Sequence, residues 1–175
     1  MKKILIVVDY QNDFVDGVLG FNKAKELEGK LVKRIKNAKE NNEEILVTMD
    51  THSFNENTIE AKKIIPHAIK GTTGWEIYGK VKEELLDKNI VFFEKNTFGS
   101  IDLAKYLAKN YQVCEIEICG IISNICVLSN LVLIQNFVPQ AKIIIDPLLI
   151  STPNKELEKA MIEIFKNLLV EIKKS

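Results

Sequence analysis

Two groups of side chains in this sequence have types and spacings suited to chemistry. The first centres on ICGIISNICVLSN, Ile118 to Asn130, where an apolar strand-like run from Val113 to Cys119 breaks at Gly120 and restarts as a helix-like run from Cys126 to Phe137. That junction puts Cys126 in the first turn of a helix, with Ser123 or Asn124 as N-cap, because a short polar side chain can accept a bond from the unpaired amides there. The helix dipole and those amides favour negative charge, so the Cys126 thiol is expected to ionise more readily than a free one and to act as a nucleophile. An isolated cysteine is more often a small apolar core residue, so this reading depends on partners elsewhere in the chain.

The second group uses the two histidines of the chain. His52 lies two residues after Asp50 in MDTHSFN, and a D-x-H pair just beyond a strand can turn both side chains toward one point. His67, in IPHAIKG, would add a third donor and Glu60, in the same loop, a fourth. Zinc, iron and manganese accept such a mixture of carboxylate and imidazole. Three protein ligands would leave coordination positions open for water or a substrate's ring nitrogen. Loop histidines also commonly only pack or hydrogen-bond, and that alternative stays open here.

Both groups need a scaffold that brings distant residues together, and the hydrophobic pattern provides one. Short Ile/Val-rich runs at Ile4–Val8, Ile45–Met49, Ile90–Phe93, Glu115–Cys119, Lys142–Ile145 and Val170–Ile172 read as strands. Between them lie amphipathic, lysine-rich helical patterns at about Lys23–Asn41, Glu76–Leu86, Ile101–Asn110, Asn124–Gln135 and Pro153–Leu168, the last with Thr152 as cap and Pro153 at the first helical position. This alternation predicts an α/β fold, three layers deep, with a six-stranded, mostly parallel sheet between helices. Asp9, Asp50, Lys95, Cys126 and Asp146 each follow a strand, and ligands of open α/β sheets bind outside the carboxyl ends of the strands. Asp146, before Pro147, has the chemistry of a turn residue and is expected to start one.

Composition narrows the function classes. The 175 residues show no linker, repeat or low-complexity tract and read as one domain, 1–175. The 24 basic residues balance 24 acidic ones, so no general field would draw the chain to nucleic acid or an anionic membrane. No apolar run has membrane-spanning length, and MKKILIVVDY meets an aspartate too early for a signal peptide, so a cytoplasmic location is expected. Cys114, Cys119 and Cys126 have no zinc spacing and are odd in number, so reduced thiols are expected. The apolar segment Leu128–Phe137 would face either the sheet or a second copy of the chain.

Asp9, Lys95 and Cys126 together could hydrolyse an amide. Asp9 would take the thiol proton and return it to the leaving amine. Lys95 would favour both the thiolate and an ionised Asp9. The backbone amides of Ile122 and Cys126 would receive the oxyanion, each donor being typically worth about 3 kcal/mol. A thioester would form and be cleaved by water.

The same residues carry a family resemblance. VVDYQNDF (Val7–Phe14), DTH (Asp50–His52) with PHAIKGTTGWEI (Pro66–Ile77), FEKNTFGS (Phe93–Ser100) and CGIISNICV (Cys119–Val127), in that order, resemble the nicotinamidases among the isochorismatase-like cysteine hydrolases. The resemblance implies an Asp-Lys-Cys triad at Asp9, Lys95 and Cys126 and a cis peptide at Ile121–Ile122. It also implies a divalent metal, with zinc expected and iron or manganese as alternatives, on Asp50, His52 and His67, with Glu60 as the additional carboxylate. Phe14 and Phe98 resemble the aromatic residues that enclose the substrate ring, although a phenylalanine is more commonly core. The implied reaction is hydrolysis of nicotinamide to nicotinate and ammonia. The rivals are hydrolysis of another small amide or carbamoyl compound, and a relative that only binds a small molecule. Ser123–Asn124 stands where the family pattern has Thr-Asp, which removes a carboxylate from the turn.

Overall fold

The first strand has no polar face. In β1 (Lys2–Val8), Ile4, Ile6 and Val8 enter one apolar layer while Leu5 and Val7 enter another. Side chains alternate across a strand, so such a run must be covered on both sides and belongs inside a parallel sheet. The computed structural model, which describes residues 1–174, places it there. β1 pairs with β2 (Glu44–Asp50) and with β4 (Cys114–Ile121). β3 (Val91–Lys95) lies beyond β2, and β5 (Lys142–Ser151) and β6 (Glu171–Ile172) lie beyond β4, giving the order β3-β2-β1-β4-β5-β6. Every pairing is parallel, so the mostly parallel sheet expected from sequence is parallel throughout.

The helices are α1 (Asn12–Val15), α2 (Asn22–Glu26), α3 (Glu28–Glu40), α4 (Ile59–Lys63), α5 (Gly79–Glu84), α6 (Ile101–Asn110), α7 (Leu128–Phe137) and α8 (Lys155–Asn167). Leu103 and Leu107 of α6, Leu131 and Ile134 of α7, and Met161 and Phe165 of α8 pack on the Ile4/Ile6/Val8 face. Leu31, Ile35 and Ala38 of α3 and Val81 of α5 pack on the Leu5/Val7 face. Each such Leu, Ile or Phe contributes about 1.5–3 kcal/mol by leaving water. Leu131 and Ile134 of α7 face the sheet, while Val132 and Phe137 on the same helix are exposed.

Several boundaries differ from the sequence reading. The pattern over Lys23–Asn41 is split at Leu27, whose side chain is drawn into the core. The helix expected from Glu76 begins only at Gly79, because Glu76 is extended and Ile77 bridges to Gln11. β5 runs on to Ser151 through an irregular register, and Asp146 makes the local turn by accepting the Leu148 N–H at 2.9 Å. Thr152 does not cap α8: Asn154 does, accepting the N–H groups of Glu156 and Leu157 at 2.9 and 3.4 Å, while Pro153 precedes the helix. Among the described residues, no helix is long and apolar enough to cross a membrane.

The chain moves outward from β1 to β2 and β3, then crosses back to β4 on the other side of β1. The chain leaving β1 thus goes to one face of the sheet and the chain leaving β4 to the other, at the point where the strand order reverses, which opens a crevice in sheets of this kind.

Candidate active site

Asp9 is the first residue beyond β1, and its backbone is left-handed, with φ of 47°. An aspartate tolerates that conformation better than a branched residue, and strained backbone of this kind tends to occur at functional sites. The turn aims a fully buried carboxylate at the crevice, where Thr48 Oγ1 donates to Asp9 Oδ1 at 2.6 Å. Gly120 lets β4 run close beside this point. Its φ is 110°, and a Cβ there would lie 2.2 Å from the Val8 carbonyl oxygen.

Lys95 ends β3, opposite Asp50 at the end of β2. Its Nζ lies 2.7 Å from Asp9 Oδ2, 3.0 Å from Asp50 Oδ1 and 3.8 Å from Cys126 Sγ. The contact with Asp9 Oδ2 is a direct, fully buried ammonium–carboxylate ion pair. One ammonium thus joins two carboxylates and the thiol, and burial opposes its charge less than these anions support it, so the Lys95 pKa is raised. The predicted triad residues are brought together.

Cys126 lies in a widened helical turn, Ser123–Val127, that leads into α7. The N–H groups of Ile125 and Val127 both bond the Ile122 carbonyl, at 3.0 and 3.2 Å, and the Ile121–Ile122 peptide is cis. Neither Ser123 nor Asn124 caps this turn, contrary to expectation. Ser123 is buried, and Asn124 Oδ1 instead accepts from Thr152 Oγ1 at 2.7 Å, tying the turn to the end of β5. Asn130, one turn into α7, donates to the Cys126 carbonyl at 2.8 Å and accepts the Ser100 N–H at 2.9 Å, which joins the cysteine's turn to the loop after β3.

The expected easy ionisation of Cys126 is reversed. Burial pushes the thiol up, the Asp9 carboxylate pushes it further, and Lys95 only partly compensates, so the group stays protonated above the ordinary cysteine range. Asp9 is raised as well, by burial first and against the pull of Lys95. The two acids compete for a single counter-charge, the Lys95 ammonium.

Asp50, His52, Glu60 and His67 come together: one potential donor atom from each lies within 4.8 Å of all the others. Asp50 Oδ2 is 3.0 Å from His52 Nε2 and 3.4 Å from His67 Nε2, and Glu60 Oε1 is 3.7 Å from His67 Nε2. The outer nitrogen of each ring is held: His67 Nδ1 by the Ile65 carbonyl at 2.7 Å, His52 Nδ1 by Glu56 Oε2 at 2.6 Å. This is the arrangement that frees Nε2 to bind a metal, and His67 Nε2 is fully buried with no hydrogen-bond partner. The donor set therefore fits a divalent ion. Burial works against the His67 imidazolium, but Asp50, Glu60 and the Ile65 carbonyl outweigh it and push its pKa up to about 10. His52 is raised by Asp50, while Asp50 is held well below the carboxylate range by the facing imidazoles and Lys95 despite its burial.

Phe14 is buried with its ring 5.4 Å from that of His67, edge to face. Phe98 is 41% exposed and stands at the outside, lining a cavity of about 520 Å³ with Ile59, Glu60 and Ile64. Sequence reasoning passed over four residues that shape the site. Gln11 is fully buried, donates to the Asp50 and Trp75 carbonyls at 2.8 and 2.7 Å, and accepts the Asp50 N–H at 2.7 Å. The others are Thr48, Glu56 and Asn130. The available signals were the position of Gln11 inside the VVDYQNDF block and that of Asn130 at the end of ICGIISNICVLSN; Glu56 lies in a polar loop where nothing marks one carboxylate over another.

Comparison with known proteins fits this geometry. The family model of the isochorismatase domain matches residues 3–170. An isochorismatase family protein, PncA, of Bacillus subtilis is 32% identical over 139 residues, which is 73% of this chain and 75% of that protein. The crystal structure of nicotinamidase/pyrazinamidase PncA from Bacillus subtilis superposes with a TM-score of 0.90 at 28% identity, covering 99% of this chain and 100% of the other. The fold is also that of the pyrazinamidase of Pyrococcus horikoshii in complex with zinc, with a TM-score of 0.85 at 22% identity and full coverage of both chains. With a match running nearly from end to end, this chain belongs to the isochorismatase domain family.

Proposed function

We propose that the chain is an amidohydrolase of the nicotinamidase type, converting nicotinamide to nicotinate and ammonia through a thioester on Cys126. The observation that carries the reading is the position of Lys95, 2.7 Å from Asp9 and 3.8 Å from Cys126, beside the Asp50/His52/Glu60/His67 donor cluster. The nicotinamidase named among the structural relatives supports the substrate class.

In this mechanism the substrate carboxamide lies between Cys126 and the donor cluster, with Phe14 against the ring. Sγ attacks the carbonyl carbon as its proton passes to Asp9, so no free thiolate has to accumulate in a site that disfavours one. Lys95 stabilises the charge that moves from sulfur to carboxylate. The oxyanion is received by the amides of Ile122 and Cys126, at about 3 kcal/mol per donor. Asp9 then gives its proton to the nitrogen, the C–N bond breaks, ammonia leaves and the thioester remains. Water attacks next and loses its proton to Asp9. The C–S bond breaks, the acid is released and the proton returns to sulfur. A divalent ion held by Asp50, His52 and His67, with Glu60, would supply a Lewis-acidic point that fixes a ring nitrogen.

A second reading is hydrolysis of another small amide or a carbamoyl compound: Phe98, expected to enclose the ring, is 41% exposed at the outer cavity and does not close over a pyridine. Ammonia release from a panel of small amides, with and without chelator, separates the two. Nicotinamide is expected to lead the panel and to lose rate with chelator. Replacing Cys126 by alanine should reduce turnover at least about 10³-fold, and an unchanged rate would remove the cysteine from the reaction.

A further inference from the structure

His52 Nε2 reaches Asp50 only because something fixes the far side of its ring. The two imidazole nitrogens point in different directions, so whatever holds Nδ1 decides where the Nε2 lone pair is aimed. Here it is Glu56, whose Oε2 accepts from His52 Nδ1 at 2.6 Å in a pair that is almost closed to solvent, with side-chain exposures of 4% and 10%. The other oxygen, Oε1, accepts from Asn96 Nδ2 at 2.7 Å. Asn96 is the residue after Lys95, so the strand that ends in the lysine leads directly into the clamp on this histidine. Glu56 is not among the donors that face one another, because it sits on the opposite side of the ring.

We propose that Glu56, held by Asn96, is a positioning residue that keeps His52 in the Nδ1–H tautomer and aims Nε2 at the ion; the inference rests on the metal-dependent reading above. The position needs a carboxylate. Two donors arrive, one at each oxygen, and a carboxylate accepts both, whereas an amide has one acceptor oxygen and would present N–H₂ to one of the two donors. The neighbours of the clamp then follow: Asp50 Oδ2 stands 3.0 Å from His52 Nε2 and Oδ1 accepts from Lys95, so a tilt of His52 is passed to the lysine. Outer hydrogen-bond partners of this kind set ligand orientation and basicity.

The test is zinc affinity, measured by competition with a chromogenic chelator on the purified chain, together with the absorption spectrum of the cobalt(II)-loaded protein. Glu56→Gln is expected to weaken zinc binding about 10–100-fold and to alter the cobalt spectrum, while thermal melting of the metal-free protein stays as in wild type. Asn96→Ala should weaken binding in the same direction. The double variant should bind no more weakly than Glu56→Gln alone, because the two residues act as one unit. Wild-type affinity and an unaltered cobalt spectrum in Glu56→Gln would overturn the proposal. Should Glu56→Gln fail to fold, unchanged zinc affinity in Asn96→Ala would overturn it instead. If the wild-type chain binds no zinc or cobalt, the metal-dependent reading falls, and with it the basis of this one.

Discussion

Asp50 and Lys95 end neighbouring strands and meet at 3.0 Å through a single carboxylate oxygen, Oδ1, while the second oxygen of Asp50 faces His52 and His67. One side chain thus belongs both to the cluster of donors and to the ion network around Cys126. Replacing it should disturb two things that other substitutions disturb singly.

Asp50→Asn is therefore expected to lose bound metal and also to speed alkylation of Cys126 at neutral pH, because the Asp50 charge is one of those that raise the thiol. His67→Ala should lose metal and leave alkylation near the wild-type rate. Elemental analysis and iodoacetamide kinetics on both variants check this. Identical alkylation rates in the two would separate Asp50 from the nucleophile.

The raised thiol of Cys126 gives a second expectation. At neutral pH the group sits below its pKa and only a small fraction is thiolate, so the alkylation rate should climb about tenfold per pH unit from about pH 6 to about pH 8. Asp9→Asn removes the second largest cause of the upward shift and leaves Lys95 in place, so alkylation should accelerate. Amide turnover should fall about 10²–10⁴-fold, since the proton acceptor is gone. A rate flat with pH, or a variant slower in both assays, would contradict the electrostatics described here.

Metal uptake should depend on pH with a defined sign. The His67 pKa is pushed up to about 10, so below that value its ring is protonated and an incoming ion must displace the proton. Affinity should rise about tenfold per unit as pH increases toward 10, measured by chelator competition at several pH values. An affinity independent of pH would mean that His67 is neutral before the ion arrives.

Gly120→Ala tests the scaffold. A methyl group there would meet the Val8 carbonyl oxygen at 2.2 Å with φ at 110°, so β1 and β4 must separate or the backbone must change region. A loss of about 2–4 kcal/mol in denaturant unfolding is expected, accompanied by loss of activity because Asp9 follows one strand and the turn of Cys126 the other. A variant of wild-type stability would show that the strands can give way at this point.

The sequence by itself determined the layers and which side chains stand at the strand ends. Unbroken Ile/Val runs have no polar face to leave in water, and they forced a parallel sheet between helices, which puts Asp9, Asp50, Lys95 and the Cys126 turn at one set of strand ends. Only the tertiary structure decided how those groups behave. A thiol's acidity depends on the charges and solvent around it, and no local pattern tells that Cys126 is buried beside Asp9, so the helix-dipole expectation failed. Hydrogen bonds across the sheet were equally hidden: Gln11 holds Asp50 from 39 residues away and Asn96 holds Glu56 from 40, distances over which no short-range spacing carries information. Helix ends moved for a related reason, since Asn154 rather than Thr152 caps α8 once Thr152 is drawn inward to Asn124. Periodicity records which face of an element leaves water, whereas proton positions and ligand aim are set by partners that only folding brings within 3 Å or so.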